Sequence, residues 1–122
     1  MPADPRHHLG RLGEELACEH LRRLGYAIVA RNHRTRWGEL DVIALCGETL
    51  VFCEVKTRRV GRGTPFESLR HGKQRQVRRM AAAWLVEQKA RPHVAELRFD
   101  ALGVSIDGRG RLAAIEHLEG AF

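Results

Sequence analysis

The stretch that most constrains this chain is residues 38–57, two runs of β-forming residues either side of Gly47-Glu48. Glycine at the first of two central positions suits a type II′ turn, whose twist matches a β-hairpin. With that turn, cross-strand partners have residue numbers summing to 95, so Asp41 faces Glu54 and Glu39 faces Lys56. Side chains alternate along a strand. Leu40, Val42, Ala44, Val51, Cys53 and Val55 then form one wholly apolar face. Glu39, Asp41, Ile43, Phe52, Glu54 and Lys56 share the other. The first face is built for a core, and the second carries the charge.

Two carboxylates directly across an antiparallel pair repel each other, and an adjacent apolar core sharpens the repulsion. Either one acid holds a proton or a cation intervenes. Lys56 supplies one positive charge beside Glu54. A divalent cation between Asp41 and Glu54 would supply two more, and hard oxygen ligands of this kind suit Mg²⁺.

Asp41 followed by Glu54-Val55-Lys56 resembles the Asp…Glu-x-Lys signature of the PD-(D/E)xK nuclease superfamily, with Leu40 where that superfamily has Pro. Pro is not a metal ligand, so the change leaves the ligand set intact. More closely, Gly38-Glu39-Leu40-Asp41-Val42-Ile43-Ala44 and Val51-Phe52-Cys53-Glu54-Val55-Lys56-Thr57-Arg58 resemble the YraN-like family of small bacterial proteins. That family is similar in outline to archaeal Holliday-junction resolvases. The likeness also takes in residues 10–17 with Glu14, Asn32-x-Arg34, Lys73, Arg98-Phe99-Asp100 and residues 115–122.

The resemblance spans nearly the whole chain and implies a restriction-endonuclease-like α/β fold, a mixed β-sheet flanked by helices. The order helix, strand, hairpin, helix, strands agrees with it. The resemblance also implies an endonuclease dependent on Mg²⁺ or Mn²⁺. Asp41 and Glu54 would hold the metal with the Val55 carbonyl as third ligand. Lys56 would stabilise developing negative charge, because neighbouring carboxylates favour its charged form. Glu14 and Glu39 join the candidate catalytic set through water-mediated contacts. DNA, including branched DNA, is the implied substrate, and a four-way junction would be matched by a two-fold homodimer. A non-catalytic nucleic-acid-binding module on the same scaffold is the alternative, and a structural partner protein a third.

Composition narrows the classes. A chain of 122 residues makes one domain, read here as residues 9–122 behind a mobile tail, residues 1–8. A net charge of +6 points to polyanions, although solubility charge alone reaches that size in a small domain. No run of residues has the length and apolarity of a membrane span, and the N-terminus does not read as a signal peptide, so a cytoplasmic location without membrane binding is expected. Cys18, Cys46 and Cys53 lack CxxC spacing and read as packed thiols.

Along the chain, Leu9, Leu12, Leu16, Ala17, Leu21 and Leu24 predict a helix over 9–24. Glu14 lies at the edge of its apolar stripe, either reaching the sheet or remaining a solvated charge, while Glu15 points to water. Residues 26–30 predict a strand, and 31–37 a basic connector. In it Arg34, Arg36 and Trp37 are placed to follow a phosphate backbone or stack a base, or else Trp37 packs on the domain edge. Residues 57–65 predict a loop whose Arg58, Arg59 and Arg62 contact phosphates or remain solvated. A second helix runs from about Ser68 or His71 to Ala90 and buries Val77, Met80 and Trp84. Lys73 sits near its unfavourable N-terminal end, pointing at the carboxylates or a phosphate. One or more strands follow within 94–106, then a turn at Asp107-Gly108 and a strand over 111–118. Asp100 either joins the site or pairs with Arg98, and His117 is a packed or exposed strand residue.

Overall fold

The computed structural model describes residues 5–61, 71–88 and 94–122, with side chains for 8–61, 75–88 and 94–122. Its elements are α1 (Pro5–Arg23), β1 (Ala27–Thr35), β2 (Gly38–Cys46), β3 (Thr49–Arg59), α2 (His71–Glu87), β4 (Glu96–Ile106) and β5 (Leu112–Leu118). The strands form one mixed sheet in the order β1-β2-β3-β4-β5. β3 and β4 run parallel, and the other neighbours are antiparallel. A parallel pair needs a crossover, and α2 lies within it. With α1 on one face and α2 on the other, the architecture is a mixed α/β domain consistent with a restriction-endonuclease-like fold. Among the described residues no helix is long and apolar enough to cross a membrane.

Each face has its own core. Under α1, Ala17, Cys18 and Leu21 pack on Val42, Ala44, Val51, Cys53, Leu102, Val104 and Ile106. Under α2, Val77, Met80, Ala81 and Trp84 pack on Leu40, Ile43, Leu50, Phe52 and Phe99. Phe52 stacks on Phe99 at 5.4 Å and meets Trp84 edge-on at 6.0 Å. Burying each large apolar side chain contributes about 1.5–3 kcal/mol, so two such layers hold the sheet between the helices. Cys18 and Cys53 are free thiols within the α1 core, and burial pushes both thiols up.

The hairpin forms in the expected register, from Cys46 opposite Thr49 to Val42 opposite Cys53. Gly47 adopts φ 59°, as the first position of a type II′ turn requires. The ladder then stops, so, against expectation, neither Asp41 and Glu54 nor Glu39 and Lys56 are ladder partners; Glu39 lies opposite Arg34 of β1 instead.

Residues 57–59, expected in a loop, are strand, since β3 pairs with β4 down to Arg59 opposite Ile106. Three further expectations need correction. Helix α1 starts at Pro5, ahead of Leu9; proline fits a first helical turn because its missing N–H would have no partner there. Residues 31–35 are strand, since β1 pairs with β2 down to Thr35 opposite Gly38, leaving Arg36 and Trp37 as a hairpin tip. Leu40 packs under α2 and not with Val42 under α1. Opposite this break Asn32 holds φ 51°, and regular pairing skips from Arg31–Val42 to His33–Leu40. Arg31 accordingly reaches Glu15 of α1, and His33 reaches Glu87 of α2. The expected contact of Arg62 lies outside the described residues, as does the side chain of Lys73, whose backbone belongs to α2.

Asp100, wholly buried on β4, ties the far edge together. It accepts from Arg98 at 2.9 and 2.8 Å, from the Gly120 N–H at 3.0 Å, and lies 2.8 Å from His117 Nε2. Arg98 also donates to the Tyr26 hydroxyl at 2.7 Å. Burial raises the Asp100 carboxyl, but Arg98, His117 and Gly120 outweigh it and hold it below its ordinary 3.8. Its ionised form therefore stabilises the fold above that pH, and the contribution fades as pH falls through the depressed value. Replacing Asp100 by Ala is expected to cost about 3 kcal/mol at neutral pH, because Arg98 loses its buried partner. Urea denaturation of both proteins should show that gap at pH 7 and a smaller one at pH 3.

Candidate active site

The site forms where β2 and β3 part. Past Val42 and Cys53 the two backbones no longer pair, and Asp41 Oδ2 accepts the Val55 N–H at 2.8 Å. A side-chain carboxylate thus satisfies a main-chain donor that the ladder leaves behind. The same contact sets Asp41 beside the Glu54–Val55 peptide.

Glu14 arrives from the opposite direction. Gly13 lets α1 lie almost against β3: a Cβ there would stand 1.8 Å from Thr57 Oγ1. That close approach lowers Glu14 toward the sheet. One oxygen from each of Glu14, Glu39 and Asp41 lies within 4.8 Å of the other two, and all three residues are half-buried. Two unit charges at that distance repel by about 3 kcal/mol at an effective dielectric of about 20. Part of the repulsion is offset locally. Arg34 Nε is 3.5 Å from Glu39 Oε2. The Asn32 amide nitrogen, assigned by its two acceptor neighbours, donates to Glu14 Oε2 at 2.8 Å and Glu39 Oε1 at 2.9 Å.

On β3 the alternation is undisturbed. Leu50 and Phe52 belong to the α2 core while Val51, Cys53 and Val55 belong to the α1 side, which leaves Glu54 on the face of Phe52. Glu54 is 5% exposed, and Lys56 Nζ lies 3.4 Å from its Oε1. It is not one of the three mutually close carboxylates. An open cleft of about 560 Å³ runs between α1 and the end of β3, lined by Leu9, Gly10, Glu14, Val55, Thr57, Arg58 and Arg59. Glu14, Val55 and two arginines therefore share one surface. Arg36 and Trp37 sit apart at the β1–β2 tip, the guanidinium 4.4 Å over the ring. Trp37 packs partly on the α2 core and its carbonyl accepts from Gln76.

Sequence reasoning passed over Asn32 as a site residue. In a run read as a basic connector an asparagine is ordinary, and the available signal was the family likeness of Asn32-x-Arg34.

Burial, and then the charge on Glu39, raises the Glu14 carboxyl above its ordinary 4.5, against the opposing pull of Asn32, Arg31 and Arg11. For a carboxyl with a raised folded value, the neutral form favours the fold, and that benefit is lost as pH rises through it. Glu14→Gln, whose amide oxygen still accepts from Asn32, should melt higher than wild type at pH 7.5 in EDTA. Thermal melts at pH 4 should show the difference gone.

The sequence model of a family described as uncharacterised protein family UPF0102 matches residues 13–104, a span that includes Glu14, Asn32, Glu39, Asp41, Glu54 and Lys56. A UPF0102 protein of Mycolicibacterium smegmatis is 50% identical over 118 residues, covering 94% of this chain and 93% of its own. Another, from Acidothermus cellulolyticus, is 46% identical over 129 residues, with 98% and 97% covered. One from Rhodococcus opacus is 46% identical over 115 residues, with 93% and 95% covered.

Proposed function

This chain belongs to the uncharacterised protein family UPF0102, and on that footing we propose that it is a metal-dependent endonuclease of the PD-(D/E)xK superfamily, hydrolysing phosphodiester bonds of DNA. Branched DNA such as a four-way junction is the substrate proposed, and the chain would meet it as a homodimer in the cytoplasm. The observation that carries the reading is the carboxylate trio of Glu14, Glu39 and Asp41 beside Glu54-Val55-Lys56, next to a cleft edged by Arg58 and Arg59.

The donor set fits Mg²⁺ or Mn²⁺. All three groups offer oxygen, and oxygen-only sets select hard divalent cations. Asp41, Glu14 and Glu39 would hold the ion, with Glu54 and the Val55 carbonyl as further ligands on β3. Such a cation supplies an acidified water and a polarised phosphate oxygen. The chain's own groups do the rest. Lys56, held by Glu54 at 3.4 Å, stabilises negative charge growing on the phosphate. Arg58 and Arg59 hold backbone phosphates along the cleft, which orients the scissile bond. Arg34 near the end of β1 and Arg36 and Trp37 at the hairpin tip extend the nucleic-acid contact.

The same basic rim supports a second reading, a nucleic-acid-binding module without turnover. Purified protein incubated with linear, flapped and four-way DNA, with and without Mg²⁺ or Mn²⁺, separates the two. Metal-dependent cleavage is expected, falling at least about 100-fold in Asp41→Ala. Cleavage that persists undiminished in that variant sinks the assignment, and salt-dependent binding without cleavage selects the module. Arg58→Ala and Arg59→Ala should each weaken binding across DNA sequences and lower the salt slope by about one.

A further inference from the structure

We infer that Asn32 is a positioning residue of this site: its left-handed backbone aims one neutral amide at Glu14 and Glu39 together, holding both carboxylates where Asp41 joins them. The inference rests on the metal-dependent reading above and deepens it.

A non-glycine residue at φ 51° inside a strand is uncommon, and it costs on the order of 1 kcal/mol. Asparagine tolerates the region better than most residues. The distortion reverses the alternation of β1, so Arg31 turns to Glu15 and His33 to Glu87, and Asn32 is left opposite the break at Asp41. From there its two N–H donors are divided, one to Glu14 at 2.8 Å and one to Glu39 at 2.9 Å.

The chemistry of the side chain matters as much as its place. A lysine or arginine would neutralise the acids and compete with a cation for them. A serine has one donor and could not hold both. An amide fixes two anions without altering the charge of the trio. Strain at a strand residue thereby becomes order at the site.

Asn32→Gly separates backbone from amide, because glycine keeps the positive φ and loses the donors. Calorimetric titration with Mn²⁺, alongside thermal melts without metal, is expected to show a melting temperature within a few degrees of wild type. Mn²⁺ affinity should fall at least about tenfold, as loss of a group orienting metal ligands does. A merely structural role would move the melt and spare the affinity. If Asn32→Gly binds Mn²⁺ as tightly as wild type, the role assigned to Asn32 is overturned while the metal site stands. If wild type itself takes up no Mn²⁺, the metal-dependent reading fails first and carries this inference with it. Should the variant not fold, the Asn32 side-chain amide signal of metal-free wild type decides by NMR. Both protons should exchange slowly with water and broaden on adding Mn²⁺; a freely exchanging pair overturns the inference.

Discussion

The parallel pairing of β3 with β4, from Thr49 opposite Glu96 to Arg59 opposite Ile106, is the constraint on which the rest depends. It keeps β3 in unbroken register for its whole length, and it demands a crossover, within which α2 covers one face. β2 follows β3 only as far as Val42 and then stays with β1, which runs on to Thr35 opposite Gly38. The sheet must therefore open between β2 and β3. Main-chain groups exposed by the opening need partners, and Asp41 supplies one for Val55. The candidate active site is that opening.

Two sets of buried or half-buried acids show how differently a fold can treat negative charge. Asp100 is surrounded by Arg98, His117 and the Gly120 N–H, and its carboxyl is driven below its ordinary range. That arrangement ties β4, β5 and residues 119–120 into one edge and reads as structure. Around Glu14, burial and Glu39 win over Asn32 and two arginines, and the carboxyl is driven up. Acids kept together at such a cost to the fold are the pattern expected of a functional site. The contrast depends on partners, since both settings combine burial with nearby charge.

Much of this was legible in the residues. Gly47-Glu48 between two β-rich runs set a turn and a register that the structure reproduces from Cys46–Thr49 to Val42–Cys53. Apolar spacing in both helices marked their buried stripes, including Val77, Met80 and Trp84. Asp100 had pairing with Arg98 among its alternatives, and that pairing is observed. What misled was the assumption of unbroken alternation. It placed Leu40 with Val42, whereas β2 changes face between them, opposite the left-handed Asn32 of β1. The basic run 31–35 read as a connector because its charges hide β-pairing that β2 imposes.

The residues alone thus determined the class of fold and the central hairpin, because turn chemistry and apolar period are local properties that survive without a partner, and motif resemblance pointed to the family. Tertiary structure alone decided where the sheet opens, that Glu14 rather than Glu54 completes the close carboxylate trio, and that Asn32 stands between two of its members. Those outcomes follow from how α1, β1, β2 and β3 pack on one another, which depends on Gly13 meeting Thr57 and on a single backbone angle. No local pattern encodes such a meeting; it is fixed only when the layers pack.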